Sequence, residues 1–76
     1  MTYYREPDVG YMAVAGAREG LPPRVTPQGE VVYEARAAAI AGLPNSVCTT
    51  SVSKEYLKEC KRVRKAEVPK AWLRRF

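Results

Sequence analysis

The sequence has no histidine and only two cysteines among its 76 residues. Without histidine, the nucleophile pairs in which that residue activates a serine or a cysteine cannot form. Two cysteines are too few for the disulfide framework of a secreted mini-protein, and without histidine they would fill only half of a structural zinc site. We therefore expect no cofactor and no metal, and we expect Cys48 and Cys60 to be free thiols in a reducing compartment.

Long apolar runs are also missing. No stretch approaches the roughly 18 apolar residues that a membrane-spanning helix needs, and residues 1–8 do not show the basic start and apolar run of a secretory signal. No glycine-rich loop is followed by the Lys-Ser/Thr pair of a phosphate-binding loop. The sequence predicts a cytoplasmic protein that is not an enzyme, takes no small-molecule substrate and does not enter a membrane.

The length of the chain limits its architecture. A chain of 76 residues fits one domain and buries a small core, so a binding surface is easier to build than a deep catalytic pocket. We expect residues 1–76 to form a single domain. Within it, residues 1–8 are expected to be extended and residues 67–76 to form a basic, aromatic tail.

The charge of the chain is unevenly distributed. The net charge is +5, but residues 51–76 contain nine bases against three acids, whereas residues 1–50 contain four bases against five acids. Clustered positive charge attracts polyanions or acidic protein surfaces. The asymmetry therefore predicts binding through the last third of the chain. The alternative is that these charges only keep a helix face soluble.

Local patterns predict an α+β fold. Thr26-Pro27-Gln28-Gly29 has proline and glycine where a turn requires them, and it predicts a β-hairpin over residues 23–34. The alternative is a helix that starts with Thr26 as its cap. Residues 34–41 are rich in alanine and precede Gly42, which favours a short helix that ends at a glycine.

A main basic helix is predicted over residues 54–66, with Ser53 as its N-cap. Apolar residues recur at near-helical spacing within it, and its lysines recur every three or four residues along one face. Residues 9–19 suit either a helix or a short strand, and we favour the helix. An alanine-rich helix, a turn and a basic helix also follow the order of a helix-turn-helix motif, although the connection between them is long.

The candidate binding residues combine cations with one aromatic side chain, because lysine and arginine contact phosphates while aromatic rings stack on unpaired bases. Trp72 could equally fold back onto a small core, whereas Phe76 is expected to be exposed. The predicted set is Lys54, Lys58, Lys61, Arg62, Arg64, Lys65, Lys70, Trp72, Arg74 and Arg75.

Two functions agree with this pattern. The first is a nucleic-acid-associated regulator that binds DNA or RNA through its basic C-terminal third. The second is an inhibitor that docks on an acidic surface of a larger complex such as RNA polymerase. In size and character the chain is similar to phage-encoded regulators of host machinery, which suits either function.

Overall fold

The computed structural model describes residues 1–15 and 23–76, and most of its regular structure is antiparallel sheet. Its strands are β1 (Thr2–Glu6), β2 (Gly10–Val14), β3 (Arg24–Val25), β4 (Val31–Ala38), β5 (Val47–Ser53) and β6 (Lys61–Val63). In these residues the α-helices are α1 (Lys54–Leu57) and α2 (Lys70–Leu73), with 3-10 turns at Pro44–Ser46 and Lys65–Glu67. The predicted α+β fold with a long basic helix is therefore wrong.

The strands form one sheet in the order β5-β4-β2-β1-β6, and every pairing is antiparallel. The short strand β3 lies on the same edge of β4 as β2 does. It pairs with Val31 and Val32, whereas β2 pairs with β4 from Ala35 to Ala37. Strands β5 and β6 consequently lie at opposite edges of the sheet.

The central strand β2 is buried on both faces. Met12, Ala13 and Val14 are 0% exposed, and consecutive residues of a strand point to opposite faces, so both faces must be covered. One face carries the main apolar cluster, against which residues of α1 and its C-terminal turn pack. That cluster consists of Met12, Val14, Ala35, Ala37 and Val52, with Tyr4, Tyr33, Tyr56, Leu57 and Cys60 against it.

The opposite face is covered by α2 through Trp72. The indole is 7% exposed and meets the ring of Tyr11 edge-on, with the ring centroids 5.9 Å apart. Gly10 lies beneath the same indole, because a Cβ atom at this position would overlap the six-membered ring of Trp72. The two short helices thus enclose the sheet from opposite sides.

The alanine-rich segment is not a helix. Residues 34–38 belong to β4, which pairs with β2 on one edge and with β5 on the other. Helix propensity is a weak preference that tertiary pairing overrides. Alanine suits this strand because Ala35 and Ala37 lie in the cluster that α1 covers, where small side chains allow the helical turn to approach the sheet.

The predicted basic helix ends after one turn. Ser53 is its N-cap, as predicted, and the Ser53 Oγ accepts a hydrogen bond of 3.0 Å from the backbone N–H of Tyr56. After Leu57 the chain turns through Lys58–Cys60 and enters β6, which pairs with β1. Since residues 38–43 contain no helix, the helix-turn-helix interpretation is wrong as well.

The turn at residues 26–29 is where the sequence predicts it. The backbone N–H of Gly29 donates to the carbonyl of Thr26 at 2.8 Å, and Gly29 has the positive φ of 81° expected of a glycine in this position. For residues 9–19 the helix is wrong up to Val14, which ends β2. The part of that prediction beyond residue 15 lies outside the described residues.

Candidate functional site

Strand β6 brings cationic residues of the last third of the chain beside the first strand. Its register pairs Lys61 with Arg5, Arg62 with Tyr4, and Val63 with Tyr3. It is an edge strand, because among the described strands it pairs only with β1. Successive β6 residues point to opposite faces of the sheet. Positive charge therefore flanks this edge on both sides.

Arg5 and Lys61 lie directly opposite each other on neighbouring strands. Directly opposed side chains share a face, with Cβ atoms about 4.5–5.5 Å apart, and two like charges in this position destabilise the pairing. Both residues are exposed, and neither forms a salt bridge within residues 1–15 and 23–76. An anion bound between them would remove the repulsion.

A cleft of about 800 Å³ opens at the end of β6. The cations that line it are Arg62, Arg64 and Lys65, and strand β1 contributes Thr2 and Tyr3. We call the five cations around this strand the basic edge. The basic edge consists of Arg5, Lys61, Arg62, Arg64 and Lys65.

One carboxylate reaches the cleft, that of Glu67. Its Oε2 accepts a hydrogen bond of 2.7 Å from the backbone N–H of Arg64, and its Oε1 lies 3.9 Å from the Nη2 of the same residue. The Arg64 side chain is 86% exposed, and ion pairs so exposed to solvent are weak. Glu67 therefore holds the 3-10 turn that begins at Lys65, and neither Arg62 nor Lys65 forms an ion pair with another described residue.

Tyr3 gives the cleft an aromatic wall. Its ring is half-buried and meets Phe76, with the centroids 6.0 Å apart and an angle of 32° between the planes. Phe76 is half-buried as well, so the expectation that it is exposed is not met. The backbone of Tyr3 pairs with β2 through Ala13 and with β6 through Val63, which holds the ring in place.

The other predicted site residues belong to the two helices and their C-caps or C-terminal residues, not to β6 or the turn after it. Lys54 and Lys58 belong to α1 and its C-cap, where Lys58 forms an exposed ion pair of 3.3 Å with Glu55. Lys70 and Arg74 are exposed on α2 and its C-cap, at the opposite face of the sheet. The predicted set therefore does not form a single stripe.

Trp72 and Arg75 serve the packing of α2. Trp72 is buried against Tyr11, so its ring is not accessible to a base. The Arg75 Nη2 donates to the side-chain oxygen of Asn45 at 2.7 Å, and the Arg75 carbonyl accepts from Arg36 at 2.7 Å. These contacts join the C-terminal segment to the sheet.

Two residues of the site, Arg5 and Tyr3, are missing from the sequence-based set. Their membership depends on the pairing of β1 with β6, which connects segments that are far apart in the chain. No local pattern near Arg5 indicates this pairing. The adjacent aromatics Tyr3 and Tyr4 are the one signal that could have drawn attention to this strand.

A second group of titratable residues lies on the face that α1 covers. Glu6 is 7% exposed, and its Oε2 accepts a hydrogen bond of 2.6 Å from the hydroxyl of Tyr56. Burial raises the pKa of Tyr56, and the hydrogen bond to Glu6 raises it further. Burial also raises the pKa of Cys60, whose thiol contacts the Tyr56 carbonyl at 3.5 Å. This group joins α1 to β1.

Neither metal binding nor a membrane span finds support in the part of the chain that is described. No group of three or more histidine, cysteine, aspartate or glutamate side chains there could hold a metal ion. Cys48 and Cys60 are unpaired, with Cys48 exposed. No helix among the described residues has the length and apolar character needed to cross a bilayer.

Comparison of the chain with protein-family models, with curated proteins and with solved structures finds no match.

Proposed function

We propose that this chain is a small, non-enzymatic binding protein that associates with nucleic acid through its basic edge. The observation that carries the proposal is the placement of Arg5 opposite Lys61 beside a cleft lined by Arg62, Arg64 and Lys65. Five cations lie along this edge strand, on its neighbour and in the turn after it, and the carboxylate of Glu67 beside them is already hydrogen-bonded to backbone. A phosphate backbone supplies the regularly spaced anions that such a surface attracts.

A simpler explanation of the same charges is that they protect an exposed edge strand from pairing with other chains. Charged side chains, lysine above all, prevent edge strands from pairing with other chains. That role explains lysine and arginine along Lys61–Val63, but it does not require Arg5 on the neighbouring strand or Lys65 beyond the strand end. The extra cations favour a ligand.

The test measures the salt dependence of binding to fluorescently labelled DNA and RNA oligonucleotides by anisotropy. Each phosphate contact contributes about 0.7–0.9 to the slope of log affinity against log salt. We expect the wild-type protein to show a steep slope. In a variant with four cations of the basic edge replaced by alanine, the slope should decrease by up to about four times the value for one phosphate contact. This edge variant is Lys61→Ala, Arg62→Ala, Arg64→Ala and Lys65→Ala.

A matched control removes four charges elsewhere. The variant Lys54→Ala, Lys58→Ala, Lys70→Ala and Arg74→Ala has the same net charge as the edge variant, but its substitutions lie on α1, α2 and their C-caps. We expect it to keep most of the wild-type slope. Equal losses in both variants would show that net charge alone drives binding. Failure of the wild-type protein to bind DNA and RNA at low salt would reject the proposal.

The alternative function is an inhibitor that docks on an acidic surface of a larger complex such as RNA polymerase. The observation that favours it is the edge of β6, which has no second partner strand among the described residues and could pair with an extended acidic segment. Capture of one host complex in pulldowns that resist nuclease, together with no binding to free oligonucleotides, would support the inhibitor over the nucleic-acid binder.

We further propose a cytoplasmic location, since unpaired cysteines such as the exposed Cys48 are typical of reducing compartments. The measurement is alkylation of thiols in intact cells, followed by mass spectrometry of the peptide that contains Cys48. A mixed or intermolecular disulfide at Cys48 under these conditions would contradict a reducing location.

A further inference from the structure

We propose that the ligand of the basic edge is single-stranded nucleic acid, with one base stacked on Tyr3 and the neighbouring phosphates bound by Arg62, Arg64 and Lys65. This inference depends on the proposed function and specifies its ligand. It follows from the shape of the site, from the aromatic ring in its wall and from the lengths of the helices.

The helices in the described part of the chain do not suit the major groove of a duplex. Sequence recognition in duplex DNA uses an α-helix or a two-stranded ribbon that inserts into a groove about 12 Å wide. Helices α1 and α2 have four residues each, and their apolar residues pack onto opposite faces of the sheet. Neither helix can serve as a recognition helix.

The cleft is lined by cations and by one aromatic residue. Arg62, Arg64 and Lys65 come from β6 and the turn after it, whereas Tyr3 comes from β1. Proteins that bind single strands combine a positively charged groove with aromatic side chains on which unpaired bases stack. In a duplex the bases are already stacked on each other, so the ring of Tyr3 would have no base to contact.

The ring of Tyr3 is also pre-positioned. Phe76 contacts it at a centroid distance of 6.0 Å, and its strand is paired on both sides. A ring that is already ordered loses little conformational entropy when a base stacks on it. Tyr3 is the aromatic side chain that the cleft lining contains, so the stacking contribution is assigned to this residue.

The dimensions of the basic edge suit a short stretch of one strand. From Lys61 to Arg64 the chain is extended, which spans about 10 Å at roughly 3.3 Å per residue. That length can reach only two or three consecutive phosphates, since neighbouring phosphates of one strand lie farther apart than the roughly 3.4 Å rise per nucleotide along the axis. We therefore expect a small site in which two or three phosphates are contacted.

The experiment compares a labelled 12-nucleotide poly-dT strand and a poly-U strand with a 12-base-pair duplex, by anisotropy at low salt. We expect at least one single strand to bind tenfold or more tightly than the duplex. Tyr3→Leu, which keeps apolar bulk but removes the ring, should weaken single-strand binding by about 5- to 100-fold and leave duplex binding unchanged. Tyr3→Phe should bind like the wild type.

A second measurement needs no variant and so remains valid if Tyr3→Leu unfolds. A poly-dT strand that contains 5-iodouracil is crosslinked to the wild-type protein by ultraviolet light, and the modified peptide is mapped by mass spectrometry. We expect the crosslink at Tyr3. A crosslink confined to other aromatic residues would overturn the proposal.

The outcomes separate this inference from the proposed function. If the single strands and the duplex bind equally and Tyr3→Leu has no effect, the single-strand inference is wrong, whereas binding through the basic edge remains supported by the salt slopes. If no nucleic acid binds at low salt, both proposals fail.

Discussion

Among single residues, Gly10 has the most demanding environment that the structure describes. Its φ is +142°, in a region that side chains rarely adopt, and its missing Cβ leaves the space that the indole of Trp72 occupies. Position 10 therefore requires glycine for two separate reasons, one in the backbone and one in the packing. The same contact fixes the distance between α2 and the sheet.

Substituting Gly10→Ala should lower the free energy of unfolding by about 3 kcal/mol or more. Backbone strain accounts for about 1–3 kcal/mol and overpacking against Trp72 for a similar amount. The control is Gly29→Ala, which also has a positive φ of 81° but no atom within 4 Å of its Cβ position, so it should cost about 1–2 kcal/mol. Urea denaturation followed by the fluorescence of Trp72, the single tryptophan, measures both. Equal losses of unfolding free energy in the two variants would contradict the contact between Gly10 and Trp72.

The hydroxyl of Tyr56 makes the stability of the fold sensitive to alkaline pH. Its pKa is raised above the ordinary value of 10.0 by burial and by the hydrogen bond to Glu6. Above about pH 10, Tyr56 loses its proton in the unfolded chain but keeps it in the folded chain. Unfolding therefore becomes more favourable as pH rises. The stability that this group contributes is fully present below about pH 10 and is lost as pH rises toward the folded pKa.

We therefore expect the wild-type protein to lose stability above about pH 10 more steeply than Tyr56→Phe does. The difference in slope should approach about 1.4 kcal/mol per pH unit, the value for one proton. Urea denaturation midpoints between about pH 9 and 11.5 measure it. Other titrating groups act on both proteins and cancel in the comparison. Parallel pH profiles would show that Tyr56 is not buried against Glu6.

At the scale of elements, the cap of α1 can be tested by a single substitution. The Ser53 Oγ accepts a hydrogen bond from the backbone N–H of Tyr56, and loss of an N-cap usually costs about 1 kcal/mol. Ser53→Ala should therefore destabilise the fold by about that amount, whereas Ser53→Asp should retain stability because aspartate also caps helices. Thermal denaturation compares the three proteins. Equal destabilisation by both substitutions would argue against the cap.

Structure that depends on interactions between neighbouring residues could be predicted from the sequence. Structure that depends on contacts between distant segments could not. The turn before Gly29 and the cap at Ser53 depend on interactions over three or four residues, and both are present. The segment from residue 34 is a strand because β2 and β5 pair with it. Helix propensity contains no information about these partners, so the alanines predicted the wrong structure.

The basic residues after Leu57 illustrate the same limit. Their spacing is compatible with a helix, but pairing of β6 with β1 provides backbone hydrogen bonds to both strands and covers one edge of β1. The sequence pattern therefore predicted these charges on a helix, whereas the structure has them on β6 and in the turn after it. Arg5 and Tyr3 could not be predicted as site residues, because only this pairing brings them to Lys61 and Val63.

At the scale of the whole molecule, protection of β2 from both faces predicts where the fold is most resistant to opening. Met12, Ala13 and Val14 are fully buried in a strand with partners on both edges. Their amides should exchange with solvent only through global unfolding, whereas Arg24 and Val25 in the exposed strand β3 should exchange through local opening. Hydrogen exchange followed by NMR measures both. Fast exchange at Met12–Val14 would contradict the two-sided burial.

The pairing of β1 with β6 has a consequence for the order of events during synthesis. Tyr3 and Arg5 leave the ribosome before their partners Val63 and Lys61, which lie 60 and 56 residues later in the chain. Contacts between segments so far apart form late and slowly. A growing chain therefore carries Arg5, one of the five cations of the basic edge, before the other four are made. Since the cleft is complete only after this closure, the proposed ligand could not bind there earlier.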